Sequence, residues 1–209
     1  MLVLVVDDHP LLRQAIREVI ESHFPSSVVR EAATGEEAIR IVKTERVEMA
    51  ILDIVLPDHS GLTVLRRIKQ LRPSVTCLVM TMHDEPQYVR LSMAHGASGY
   101  LTKGATAAEL HDAMRAVLSG RQVVMEPLRE TLDYRPERRG VAWPQASISV
   151  RELEVLSLFA QGRTAAQIAK RLKLSIKTVS TYRTRLLEKL RLRTTADLIR
   201  YAVDHQLVR

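Results

Sequence analysis

The sequence predicts an α/β domain, doubly wound around a five-stranded parallel sheet, followed by a small all-α domain of four helices. Three observations carry this prediction. Over the first 120 residues, short apolar runs rich in Val, Leu and Ile alternate with longer segments whose apolar residues recur at helical spacing. From about Gly120 to Ser147 the periodicity lapses into a polar stretch punctuated by Pro127, Pro136, Gly140 and Pro144. Residues 146–209 then read as helices and hold 13 Lys and Arg against 5 Asp and Glu, whereas residues 1–121 hold 14 against 15 and residues 122–145 hold 4 against 4. These shifts divide the chain into a first domain at 1–120, a linker at 121–146 and a second domain at 147–209.

The elements follow in order. Residues 2–6 (Leu-Val-Leu-Val-Val) form the first strand, and at 11–23 Leu11, Leu12, Ala15, Ile16, Val19 and Ile20 share one helix face. The strand-then-helix pairing repeats at 28–32 with 35–46, at 49–52 with 62–72, at 75–81 with 86–94, and at 98–101 with 107–119. Five such units, joined by right-handed crossovers, place helices on both faces of a parallel sheet. Helices are expected at 150–161, 165–172, 176–190 and 196–206. Thr164 and Ser175 stand ready to cap the second and third of these by accepting from first-turn amides. Two helices joined by a turn of about three residues, in a basic domain, make a helix-turn-helix.

Composition narrows the function classes. A hydrophobic content of 46% supports a real core, but aromatics at 4% leave aliphatic side chains to fill it and argue against base-stacking platforms for single strands. The lone Cys77 cannot form an internal disulfide, and the apolar opening runs into Asp7-Asp8 without the basic leader or cleavage site of a signal peptide. No apolar run approaches the roughly 18 residues of a membrane span, so a soluble, cytoplasmic protein without membrane contact is expected. The basic second domain points to a polyanion such as DNA, with a solvated basic surface as the plain alternative.

In a parallel sheet, side chains at the carboxyl ends of strands share one crevice. Asp7 and Asp8 follow the first strand, Asp53 follows the third, Thr81 ends the fourth and Lys103 follows the fifth. Taken singly, Asp8 reads as a helix cap and Lys103 as a surface lysine; taken together, they put three carboxylates, a hydroxyl and an ammonium in one place. Clustered carboxylates repel one another in a partly desolvated site and suit a hard divalent cation, Mg2+ being the natural one. Asp53 could then attack phosphorus to give an acyl phosphate, with Lys103 and Thr81 on its oxygens.

The stretches Val6-Asp7-Asp8-His9-Pro10, Leu52-Asp53-Ile54-Val55-Leu56-Pro57-Asp58-His59-Ser60-Gly61, Met80-Thr81 and Gly99-Tyr100-Leu101-Thr102-Lys103 resemble the receiver-domain motifs of two-component signalling. The resemblance covers residues 1 to about 120 and implies a flavodoxin-like fold. It also implies Asp53 as the phospho-acceptor, and Mg2+ held by Asp8, Asp53 and the Val55 carbonyl with help from Asp7. Thr81 and Tyr100 become switch residues, Lys103 binds the phosphoryl group, and a sensor histidine kinase is the expected partner. A haloacid-dehalogenase type of phosphohydrolase, the enzymatic competitor, resembles Asp-x-Asp at its nucleophile, but Val55 stands two residues after Asp53 and offers no acid or base for turnover. No Gly-x-Gly-x-x-Gly follows the first strand, which disfavours a dinucleotide site. The chain is expected to be a regulator and not an enzyme.

In the second domain, Ser149-Val150-Arg151-Glu152-Leu153-Glu154-Val155-Leu156, Gly162, Gln167-Ile168-Ala169, Ser175-Ile176-Lys177-Thr178-Val179-Ser180-Thr181-Tyr182 and Lys189-Leu190 resemble the LuxR-type helix-turn-helix. Nearly the whole chain is therefore similar to NarL/FixJ-type response regulators. Tyr182 stands where many members have histidine and Ser180 where lysine is frequent, so base preference is not carried over. On an ideal helix Ile176, Val179, Leu186, Leu187 and Leu190 make the buried stripe, and Arg183 falls at its rim. The opposite face is expected in the major groove. There Lys177 could donate to guanine, and Ser180, Thr181 and Thr184 could bond bases or touch thymine methyls, while Thr178, Tyr182, Arg185 and Lys189 suit phosphates. The resemblance implies homodimers on double-stranded DNA through the last helix, and RNA polymerase is a further expected partner. An adaptor whose basic helices bind protein or RNA is the other reading, and footprinting for protected half-sites separates the two.

Overall fold

A computed structural model describes residues 1–84, 86–125, 148–172 and 174–204; most of the expected linker lies outside these residues. The chain divides into two compact units.

The first unit runs β1 (Leu2–Val6), α1 (Pro10–His23), β2 (Val28–Ala32), α2 (Gly35–Thr44), β3 (Met49–Leu52), α3 (Gly61–Leu71), β4 (Thr76–Thr81), α4 (Pro86–Ala94), β5 (Gly99–Thr102), α5 (Ala107–Leu118) and β6 (Val123–Val124). The strands pair in parallel in the order β2-β1-β3-β4-β5-β6. The expected five strands are thus six. β6 lies in the stretch assigned to the linker, and its two residues are too few to show a period. It forms because α5 ends at Leu118 and Gly120, at φ 83, turns the chain back, so that Val123 and Val124 pair with Gly99 and Tyr100.

Helices α1 and α5 pack together on one face, α2 and α3 on the other. Ile16 and Ile20 of α1 and Leu110, Ala113, Met114 and Val117 of α5 close over Val3, Val5, Met49, Ile51, Leu78, Met80 and Leu101 from the sheet. These side chains are aliphatic or thioether, as the low aromatic content requires. The strand order reverses between β1 and β3, which opens a crevice at their carboxyl ends.

The second unit holds α6 (Val150–Ala160), α7 (Ala165–Leu172), α8 (Ile176–Leu190) and α9 (Thr195–Asp204). Each begins on a hydroxyl that accepts an amide hydrogen three residues on: Ser149 from Glu152, Thr164 from Gln167, Ser175 from Thr178 and Thr194 from Asp197. In three of these caps the side chain of the third residue accepts from the cap backbone in return, which satisfies two otherwise orphaned donors. The α6 helix packs on α8 and α9, and α7 packs on α8, around Leu153, Leu156, Ile168, Val179, Leu186 and Leu198. No helix among the described residues is long and apolar enough to cross a membrane.

Candidate functional site

Strand ends fix the acidic pocket. Beyond the last paired residues the ladder continues, with Asp7 N–H donating to Ala32 O, Asp53 N–H to Val6 O and Lys103 N–H to Thr81 O. Side chains leaving these positions therefore start from a rigid backbone. Lys103 Nζ sits 2.7 Å from Asp53 Oδ2 and 2.7 Å from Asp7 Oδ2, and the three side chains are 7%, 4% and 3% exposed. Burial pushes the Lys103 amine down, but the hydrogen bonds and charges of Asp53 and Asp7 outweigh it and hold the ammonium above its usual value. Asp8 forms the open side, where His9 Nδ1 lies 2.7 Å from Asp8 Oδ1 and 3.0 Å from Asp7 Oδ1. The Val55 amide donates to Asp53 Oδ1 at 3.3 Å.

Ligand atoms of Asp7, Asp8, His9 and Asp53 all lie within 4.8 Å of one another. That spacing, with three carboxylates beside one imidazole and one ammonium to offset their charge, fits a hard divalent cation. Thr81 is fully buried and its hydroxyl has no hydrogen-bond partner among the described residues. Leaving such a group unsatisfied costs about 1–3 kcal/mol, and a phosphoryl oxygen at the strand end would satisfy it.

Tyr100, also fully buried, does not end in the pocket; its hydroxyl donates to His83 O at 2.9 Å, in the loop that follows Thr81. The His83 ring stacks on Tyr88 at 4.1 Å. Three further residues support the site, and the sequence reading gave them no role. Arg13 donates to Asp7 O at 2.6 Å and bonds Glu31. Asp58 accepts the N–H groups of Gly35, Glu36 and His59, each at 2.8 Å, and so ties the loop after Asp53 to the start of α2. Burial raises the Asp58 carboxyl, but these three amides prevail and hold it below the usual carboxylate range. A Cβ on Gly61 would lie 1.9 Å from Asp53 O, so only glycine lets this loop close behind the acceptor. The stretch Leu56-Pro57-Asp58-His59-Ser60-Gly61, a turn-rich run just after Asp53, is a signal for Asp58 and Gly61; nothing in a sequence signals a backbone carbonyl such as that of His83.

In the second unit, Lys177, Ser180, Thr181, Thr184 and Arg185 form an exposed face of α8, with Thr178 and Tyr182 half-buried beside it. The Thr181 and Thr184 hydroxyls donate to Lys177 O and Ser180 O, which leaves their lone pairs free to accept. Arg183 is exposed, clear of the apolar stripe. Two expectations change. Ile176, expected in the stripe, is 56% exposed: it points the right way round the wheel but stands in the first turn, beyond the reach of the core that begins at Val179. Lys189, expected at a phosphate, instead donates to both carboxylate oxygens of Glu152 at 2.9 and 2.6 Å. Glu152 is 2% exposed, and a carboxylate buried to that degree demands a cation.

Comparison with known proteins agrees with both halves. Residues 3–115 match the response regulator receiver domain, and residues 146–202 match the bacterial regulatory proteins of the luxR family. The response regulator UvrY of Escherichia coli K12 is 34% identical over 208 residues, covering 98% of this chain and 94% of that protein. The transcriptional activator protein ExaE of Pseudomonas putida is 36% identical over 209 residues, covering 99% and 98%. Among solved structures, Salmonella typhimurium RcsB, described for its conformational dynamism in DNA interaction, aligns over 97% of this chain and 99% of its own with a TM-score of 0.61 and 26% identity. A complex of RcsB with DNA aligns over 97% and 98%, with a TM-score of 0.61 and 27% identity.

Proposed function

The chain belongs to the NarL/FixJ-type response regulators, transcription regulators that join a receiver to a LuxR-type DNA-binding domain, and from that premise we propose that phosphorylation of Asp53 by a sensor histidine kinase switches its DNA binding in the cytoplasm. The observation that carries this reading is the convergence of Asp7, Asp53 and Lys103 from three strand ends, at 2.7 Å and nearly out of solvent.

Asp7, Asp8 and Asp53, with the Val55 carbonyl, would hold Mg2+, and the ion would supply positive charge that offsets the negative charge of the incoming phosphoryl group. An Asp53 carboxylate oxygen forms the bond to phosphorus. The P–N bond of the donor phosphohistidine breaks, and its electron pair stays on the imidazole. Lys103, already on Asp53 Oδ2, moves to a phosphoryl oxygen while keeping Asp7, and the orphaned Thr81 hydroxyl gains its missing partner. The change at Thr81 reaches the loop that carries His83, to which Tyr100 is bonded.

On the DNA side, Lys177, Ser180, Thr181 and Thr184 face base edges while Thr178, Tyr182 and Arg185 face phosphates. The exposed Ile176 suits a thymine methyl. Homodimers assemble on the duplex through α9, and RNA polymerase is the further partner. The acceptor assignment is tested by incubating the protein with acetyl phosphate and Mg2+ and weighing it intact: the wild type gains one phosphoryl group and Asp53→Asn gains none. Equal uptake by the variant would show that another carboxylate is the acceptor.

A further inference from the structure

Among the described residues, four helices end in the same hydrogen-bond pattern. In each, the residue after the last turn has positive φ and bonds a carbonyl three residues back, while the next N–H bonds a carbonyl five residues back. The pairs are Gly96 with Ala97, Gly120 with Arg121, Gly162 with Arg163, and Arg191 with Leu192. This is the Schellman termination, whose left-handed residue is usually glycine because a Cβ crowds the following carbonyl. Three of the four obey the rule at φ 94, 83 and 76. The fourth, at the end of α8, places Arg191 at φ 56 and ψ 40, the one non-glycine residue with positive φ among those described.

Among the described residues this local rule is broken once, on the helix assigned to DNA, and that calls for a compensating gain. Helix-end electrostatics does not supply one that requires this position, since Lys189 already puts a cation in the last turn without strain. Lys189 is itself committed to the buried Glu152, so its charge is largely neutralised inside the domain. Arg191 is exposed and has no carboxylate partner among the described residues. It therefore carries the charge at this end of α8 that Lys189 was expected to offer. A guanidinium is weakly hydrated and matches phosphate in a bidentate fork.

We infer that Arg191 is a duplex-phosphate contact, kept in a strained conformation because the guanidinium reaches the DNA backbone from the end of the reading helix. The inference rests on the DNA-binding assignment of α8. It adds a sequence-independent contact to the face formed by Lys177, Ser180, Thr181 and Thr184.

The test uses the full chain, its Arg191→Gly and Arg191→Lys variants, and a fluorescent duplex of arbitrary sequence titrated at several salt concentrations. Melting of the helical domain is followed in parallel. Glycine relieves the strain, so Arg191→Gly melts several degrees higher while binding the duplex about eightfold more weakly near 0.1 M salt, with a log–log salt slope shallower by about 0.9. Arg191→Lys keeps the slope and melts like the wild type. An Arg191→Gly protein with unchanged affinity and slope overturns the inference. So does one that binds weakly because it melts lower, since Arg191 would then be structural. A wild-type protein that binds no duplex overturns the DNA assignment itself and this inference with it.

Discussion

Replacing Lys189 with methionine separates a structural lysine from a DNA-binding one. The substitution keeps the stem and removes the ammonium that lies 2.6 and 2.9 Å from the Glu152 carboxylate oxygens. Glu152 is 2% exposed and retains one donor, the Ser149 N–H at 2.7 Å. Removing one partner of a buried pair costs about 3–5 kcal/mol, because the other charge is stranded. The surviving cap bond and the 33% exposure of the Lys189 side chain put this case near the lower end, about 3 kcal/mol. For a domain of this size each kcal/mol moves the melting midpoint by about 4–8 °C, so a fall of roughly 12–24 °C is expected. Circular dichroism of the full chain and of the Lys189→Met variant reads it directly. Adding Glu152→Gln removes the stranded charge and keeps an acceptor for Ser149 N–H, so the double variant recovers to within about 1 kcal/mol of the wild type. A Lys189→Met protein that melts like the wild type but binds DNA weakly refutes the reasoning and returns Lys189 to the phosphates.

Thr81→Val, which removes an orphaned buried hydroxyl at nearly constant shape, should leave the unphosphorylated protein as stable as the wild type or up to about 1 kcal/mol more stable by urea titration. The same variant should weaken the effect of the phosphodonor on DNA affinity, and a marked loss of stability would mean that the hydroxyl already has a partner. Lys177→Ala and Thr181→Ala should each cost about 1–3 kcal/mol on a specific operator and less on random duplex, measured by competition at fixed salt. A fragment beginning near Ala146 should bind the same operator at least as well as the unphosphorylated whole; if it binds far more weakly, the receiver contributes to DNA affinity instead of restraining it.

Much of this was legible because both patterns are periodic. Asp7, Asp53, Thr81 and Lys103 could be placed together before any coordinates, since a parallel sheet sends all its strand ends to one edge. The hydroxyl caps at Thr164 and Ser175 announce their helices for a similarly local reason. What escaped depends on reach or on backbone. The wheel assigns a direction to Lys189 but not the length of a stem that folds back to Glu152, and it assigns Ile176 to the core side without saying where the core stops. Val123–Val124 pairs with β5 because Gly120 aims it there, which two residues cannot advertise. The support of Asp7 by Arg13, and of Tyr100 by the His83 carbonyl, uses main-chain acceptors that every residue possesses.

The central claim is that one carboxylate governs DNA binding. Affinity for a single operator at fixed salt, measured with and without acetyl phosphate and Mg2+ for the wild type and for Asp53→Asn, tests it most directly. The account predicts that the phosphodonor tightens binding by the wild type and leaves the variant unchanged. A wild-type protein that takes up phosphate with no change in affinity, or a variant that responds as the wild type does, would contradict it.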